Sequence, residues 1–129
     1  MEQHNRTIAI DTNALVSIAR TKADVFEEAK KEFGKKTRFV VPEQVRGEIE
    51  RLSKKGKTME KSCKIAEKIM QMHGVKTVKV NAKNADSALL ELAKRGVLVI
   101  TSDRGLKRRV KKALGEIIEL SKGRLIRQE

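Results

Sequence analysis

The stretch "RTIAIDTNALVSIAR", Arg6 to Arg20, decides how the chain is read. Thr7-Ile8-Ala9-Ile10 is a short, mostly apolar run that leads straight into Asp11-Thr12-Asn13. Apolar residues then return at helical spacing with Leu15 and Val16. The pattern predicts a buried strand over 7–10 and a helix over about 12–19, with a carboxylate at the junction. Thr12 can cap that helix, which would leave Asp11 without a structural task.

Further along, strand and helix signals alternate. A second helix is expected from about Asp24 to Gly34, carrying Val25, Phe26, Ala29 and Phe33 inward. "RFVV" reads as a strand closed by Pro42, and Pro42 suits the first turn of a helix, where a missing N–H costs nothing. That helix places Val45, Ile49 and Leu52 on one face and should end near Gly56. "TMEKSCKIAEKIMQMHG" is helical up to Gly74, "VKTVKV" alternates like a strand, and "NADSALLELAKRG" is a helix closed by Gly96. "VLVIT" is a continuous apolar run, as expected of a strand buried on both faces. "DRGLKRRVKKALG" is the last helix, and "EIIEL" with "GRLIRQ" closes the chain as a pair of strands. This alternation predicts a mainly parallel sheet covered by helices on both faces. Ligands in such sheets bind at the carboxyl ends of the strands.

The 129 residues suit one domain with one core, expected to span 1–129. With only 2% aromatic residues, that core must be aliphatic. No apolar run approaches the roughly 18 residues of a membrane helix. The N-terminal residues lack the pattern of a signal peptide, so a cytoplasmic protein without a membrane partner is expected. Cys63 is the only cysteine, which excludes an intrachain disulfide and argues against a Cys-based zinc site. His4 and His73 show no ligand spacing, and Cys63, Met59, Met70 and Met72 read as core or interface filler.

The net charge is +13, from 30 Lys and Arg against 17 Asp and Glu. A solvated thermophile surface usually balances its signs. This imbalance points to an anionic partner, foremost a nucleic acid. Phe26, Phe33 and Phe39 each sit in an apolar pattern and are not expected to stack on bases. Binding should then run mainly through phosphates, with strong salt dependence and little sequence readout.

Inside this basic chain, acids recur at element starts. Asp11 follows the first strand, and Asp103 follows "VLVIT" after Ser102. Asp86 lies at the first turn of its helix, and Glu48 about two turns into the helix after Pro42. Each has an ordinary reading, Asp86 and Asp103 as a cap or dipole partner and Glu48 as a solvated helix residue. Together they make an oxygen-only set. Gathered in a cleft, such carboxylates repel and stay ionised only with a compensating cation, for which Mg²⁺ or Mn²⁺ is the natural choice. One or two such ions can generate hydroxide and stabilise the leaving oxygen in phosphodiester cleavage.

"IAIDTNALVSIA", "VVPEQVRGEIERL", "NADSALLELA" and "VLVITSDRGLKRR" resemble, in order and approximate spacing, the PIN-domain ribonucleases. The resemblance spans essentially the whole chain. It implies a three-layer α/β/α sandwich and metal-dependent hydrolysis of single-stranded RNA, endonucleolytic in the reading adopted here. On the motif positions it implies catalytic roles for Asp11, Glu48, Asp86 and Asp103, with Asp11, Asp86 and Asp103 as metal ligands. Asn13 and Thr101 or Ser102 match its supporting polar positions. "TSDRGLKRRV" resembles the branch linked to ribosomal-RNA processing more than the toxin branch, in which an antitoxin would be the partner. Gly105 stands where some members carry a further acid. Lys107, Arg108, Arg109, Lys111 and Lys112 beside the pocket are expected to bind RNA phosphates. Arg51, Lys54, Lys55 and Lys57 form a second cluster, read as either solvated or RNA-facing. A homodimer and a non-catalytic RNA-binding module remain as further readings.

Overall fold

The computed structural model describes residues 6–121 and 124–127. His4 and Lys122 of the expected final turn lie outside them, as do Gly123 and Gln128 of the expected last strand. The chain order is β1 (Thr7–Ile10), α1 (Thr12–Thr21), α2 (Val25–Phe33), β2 (Arg38–Pro42), α3 (Glu43–Leu52), α4 (Lys57–Met72) and β3 (Lys76–Val78). It continues with α5 (Ala85–Lys94), β4 (Leu98–Thr101), α6 (Arg104–Lys112), β5 (Ile117–Ser121) and β6 (Arg124–Arg127).

The strands form one sheet in the order β3-β2-β1-β4-β5-β6. All pairs are parallel except β5–β6, which is antiparallel. The chain thus winds from β1 to one edge, then returns across the sheet to the other. Right-handed crossovers therefore put α1–α4 on one face and α5 and α6 on the opposite one, an α/β/α sandwich. The winding direction switches between β1 and β4, which pair with Ile10 opposite Ile100. The connections that follow these two strands leave to opposite faces of the sheet, so a crevice opens beyond their carboxyl ends.

The core explains why β1 and β4 hold this position. Ile8, Ala9, Ile10, Val99 and Ile100 have no accessible surface, as expected of central strands covered on both faces. Burying each large aliphatic side chain contributes about 1.5–3 kcal/mol before entropy costs. All three phenylalanines are buried. Phe26 meets Phe39 edge-on and is stacked by His73 at 4.3 Å between centroids, so none is presented to a base. Cys63 and Met70 are buried, whereas Met72 is exposed.

Several boundaries differ from the sequence reading. Pro42 is not the first helical residue but the last of β2, in extended conformation as the N-cap of α3. α3 stops at Leu52 rather than near Gly56. Its last turn is closed by Ser53, whose N–H reaches the Ile49 carbonyl and whose hydroxyl reaches that of Glu50. Gly56, at φ +111°, instead begins α4. β3 is shorter than "VKTVKV": its pairing ends where Val78 lies opposite Pro42, the last residue of β2, and beyond it the Val80 and Ala82 carbonyls accept from the Gln44 side chain of α3.

Candidate active site

β1 and β4 end side by side, and their first residues beyond the shared ladder build the site. The Asp11 N–H donates to the Ile100 carbonyl at 3.1 Å, extending the β1–β4 ladder by one bond. That bond fixes Asp11 in extended backbone and turns its side chain to the head of α1. Asp11 Oδ1 accepts from the Ala14 N–H at 2.6 Å. Asp11 itself, not Thr12, is the N-cap of α1. The expectation that Asp11 has no structural task is therefore corrected. Thr12 is freed instead, and its hydroxyl donates to Glu48 Oε1 at 2.6 Å, tying α1 to α3.

Thr101 links the two strand-end acids. Its hydroxyl donates to Asp11 Oδ2, and its oxygen accepts from the Asp103 N–H at 3.0 Å. Asp103 in turn caps α6, accepting from the Leu106 N–H at 3.0 Å. Asp86 has no capping role, because Asn84 caps α5 by accepting from the Ser87 N–H. Asp86 thus lies in the first turn of α5 with a carboxylate that the cap does not use.

Asp11, Glu48, Asp86 and Asp103 line one cleft of about 490 Å³ at the carboxyl edge, together with Asn13. Thr101 lies beneath it, 1% exposed, and Ser102 is exposed outside the lining. Burial pushes the Asp11 carboxyl up to about 6. The Thr101 and Ala14 hydrogen bonds oppose the rise, and the charges of Asp103 and Asp86 add to it. Asp86 is also raised, by burial first and then by Asp103 and Glu48, against the pull of Arg109. The acids therefore sense one another across the cleft, and a cation among them would lower this cost.

The donor set suits a hard divalent cation, since every candidate ligand atom is a carboxylate oxygen. Among the described residues, no three acids already stand together as a ligand cluster. Glu48, Asp86 and Asp103 are only part-buried, whereas Asp11 is buried and held by the Thr101 and Ala14 hydrogen bonds.

The basic residues divide. Lys107 is held by Glu119 at 2.8 Å and lies on the β5 side of α6. Arg108, Arg109, Lys111 and Lys112 are exposed, and Arg109 is near enough to Asp86 to act on its charge. Of the second basic cluster, the cleft takes in Arg51, in the last turn of α3, and Lys55, in the bend after it, but not Lys54 or Lys57. The spacing of Arg51, three residues after Glu48 and so on the same helix face, separates it from its neighbours.

A crevice lined by acids at the switch point of a parallel sheet places the protein among α/β/α proteins with an acidic carboxyl-edge site. Within that class the chain belongs to the PIN like domain family, whose sequence profile matches residues 8–124. Among solved structures it is similar to the PIN domain endonuclease Utp24, with a TM-score of 0.76 and 24% identity over 95% of this chain and 90% of that one. It is also similar to a domain of a functionally unknown protein from Methanocaldococcus jannaschii DSM 2661, with a TM-score of 0.68 and 19% identity over 90% of this chain and 91% of that one. At these identities the likeness establishes the shared fold. Comparison with curated proteins gives no match. Among the described residues, no helix is long and apolar enough to cross a membrane.

Proposed function

We propose that the chain is a single nuclease domain that hydrolyses RNA phosphodiester bonds with Mg²⁺ or Mn²⁺, cutting endonucleolytically in ribosomal-RNA processing in the cytoplasm. The observation that carries this reading is that acids from four separate segments, Asp11, Glu48, Asp86 and Asp103, line one cleft in a chain of net charge +13. The similarity to an endonuclease of the same fold supports it. The "TSDRGLKRRV" motif supports the ribosomal-RNA branch.

In this reading Asp11, Asp86 and Asp103 hold the metal. Glu48, oriented by Thr12, faces them from α3. Thr101 fixes the Asp11 carboxylate and the backbone of Asp103 at once, which presets the spacing of two ligands. A bound divalent ion supplies an activated water and neutralises charge on the scissile phosphate. Exposed Arg108 and Arg109 hold the RNA backbone beside the acids.

The direct test is a crystal soaked in Mn²⁺. Anomalous density among Asp11, Asp86 and Asp103 is expected. A soaked crystal with no density there would overturn the metal assignment.

A further inference from the structure

We propose that Arg51 and Lys55 grip backbone phosphates of the RNA strand on the α3 side of the cleft, so that the strand crosses the acids from α3 toward Arg109 on α6. The proposal rests on the RNA-cleaving reading above and adds its path and two phosphate contacts.

Three observations carry it. Both side chains line the acidic cleft itself, unlike their neighbours Lys54 and Lys57. Both are exposed, and among the described residues neither has a carboxylate within salt-bridge distance. This contrasts with Arg46, Lys64, Arg95 and Lys107, each of which has one. Glu48 is three residues before Arg51, a spacing at which helical ion pairs form. Its Oε1 is nevertheless hydrogen-bonded to Thr12. Two cations that share a cleft with four acids but remain unneutralised by them are available to an anion from outside.

The direction of Arg51 agrees. Its Nη1 lies 3.5 Å from where a Cβ on Gly47 would stand, so the guanidinium reaches back along α3 by one turn. That is the turn of Glu48, at the acid end of the helix. Lys55 follows in the bend that ends α3, its N–H bonded to the Leu52 carbonyl at 3.0 Å. α5, which carries Asp86, packs against both α3 and α6, and Arg109 of α6 acts on Asp86. Cations therefore flank the acid row on two sides, as a strand held on both sides of its scissile phosphate requires.

The test compares two double variants of the full chain, each removing two positive charges. Arg51→Gln with Lys55→Gln strips the cleft, and Lys54→Gln with Lys57→Gln strips the neighbouring surface. Gln retains good helix propensity at Arg51 and Lys57, the two helical positions, and circular dichroism checks both folds. Binding of a labelled single-stranded oligoribonucleotide is followed by fluorescence anisotropy in EDTA over a KCl series. For the cleft pair, the slope of log affinity against log salt is expected to flatten by about 1.4, at roughly 0.7 per lost phosphate contact on a single strand. The control pair should flatten it by less than half as much. Equal flattening in both pairs, or an unchanged slope in the cleft pair while the wild type binds, overturns the proposal. A wild type that binds no RNA at the lowest salt overturns the RNA reading itself, and the proposal with it.

Discussion

Asp11 performs two tasks that pull its protonation in opposite directions. As the cap of α1 it favours the anion, yet its burial favours the acid, and burial wins with a pKa of about 6 against 3.8 when exposed. The folded state therefore binds more protons than the unfolded one between those values. This contribution to stability is complete below about pH 4 and is lost as pH rises through 6. At neutral pH the ionised group costs up to about 3 kcal/mol, the equivalent of that shift. Asp11→Asn keeps a side-chain oxygen for the Ala14 N–H and removes the charge. In EDTA at pH 7.5 it should unfold in urea at higher concentration than the wild type, and the difference should vanish near pH 4. Stabilisation that persists unchanged at pH 4 would contradict the assignment. Thr101→Val leaves Asp11 Oδ2 and the Asp103 N–H without their shared partner. A loss of about 1–3 kcal/mol in urea unfolding is expected. Gly105 borders the same network, for a Cβ there would stand 3.2 Å from Asp103 Oδ1. The absence of a further acid at this position thus leaves room for the Asp103 cap.

At the scale of elements, α3 is the wall that most distinguishes the site. It contributes Glu48 and Arg51 to the cleft, with Lys55 from the bend after it, and Gln44 pins the segment before α5. Gly47 sits in its interior, where glycine lowers helix stability. A Cβ there would meet only Arg51 Nη1, at an ordinary contact distance. Gly47→Ala should therefore stabilise the protein by about 0.4–1 kcal/mol, read as a raised thermal midpoint. A lowered midpoint would show that α3 needs the glycine. Much of this layer was legible from periodicity: β1, β4 and α5 follow directly from "TIAI", "VLVIT" and "ADSALLELAK". The cap was not legible, because Asp11 and Thr12 are both competent caps. The choice between them depends on the ladder bond from Asp11 to Ile100, a partner 89 positions away. The end of α3 was missed because Gly56, a plausible stop, starts the next helix instead. Lys107 was grouped with its basic neighbours because its partner Glu119 lies on β5, outside the helical run.

At the scale of the molecule, opposed charge is sorted by place. Lysine and arginine outnumber the acids by 30 to 17, while four acids line one cleft where the winding of the sheet switches direction. The alternation of strands and helices put Asp11 and Asp103 on one carboxyl edge, but that β1 and β4 are neighbours is read only from the strand order. The exact lining of the cleft was beyond that alternation too, since that depends on how α3 leans over the edge. The central claim is that this cleft cleaves RNA through a divalent ion held by its acids. The most direct measurement is cleavage of single-stranded RNA by the wild type and by Asp103→Asn, each with Mn²⁺ and with EDTA. The wild type should cleave in Mn²⁺ alone, and Asp103→Asn should be slower by at least about 100-fold, the upper range for loss of even an outer-shell partner. Equal cleavage by the two proteins, or none by the wild type in Mn²⁺, would contradict the account.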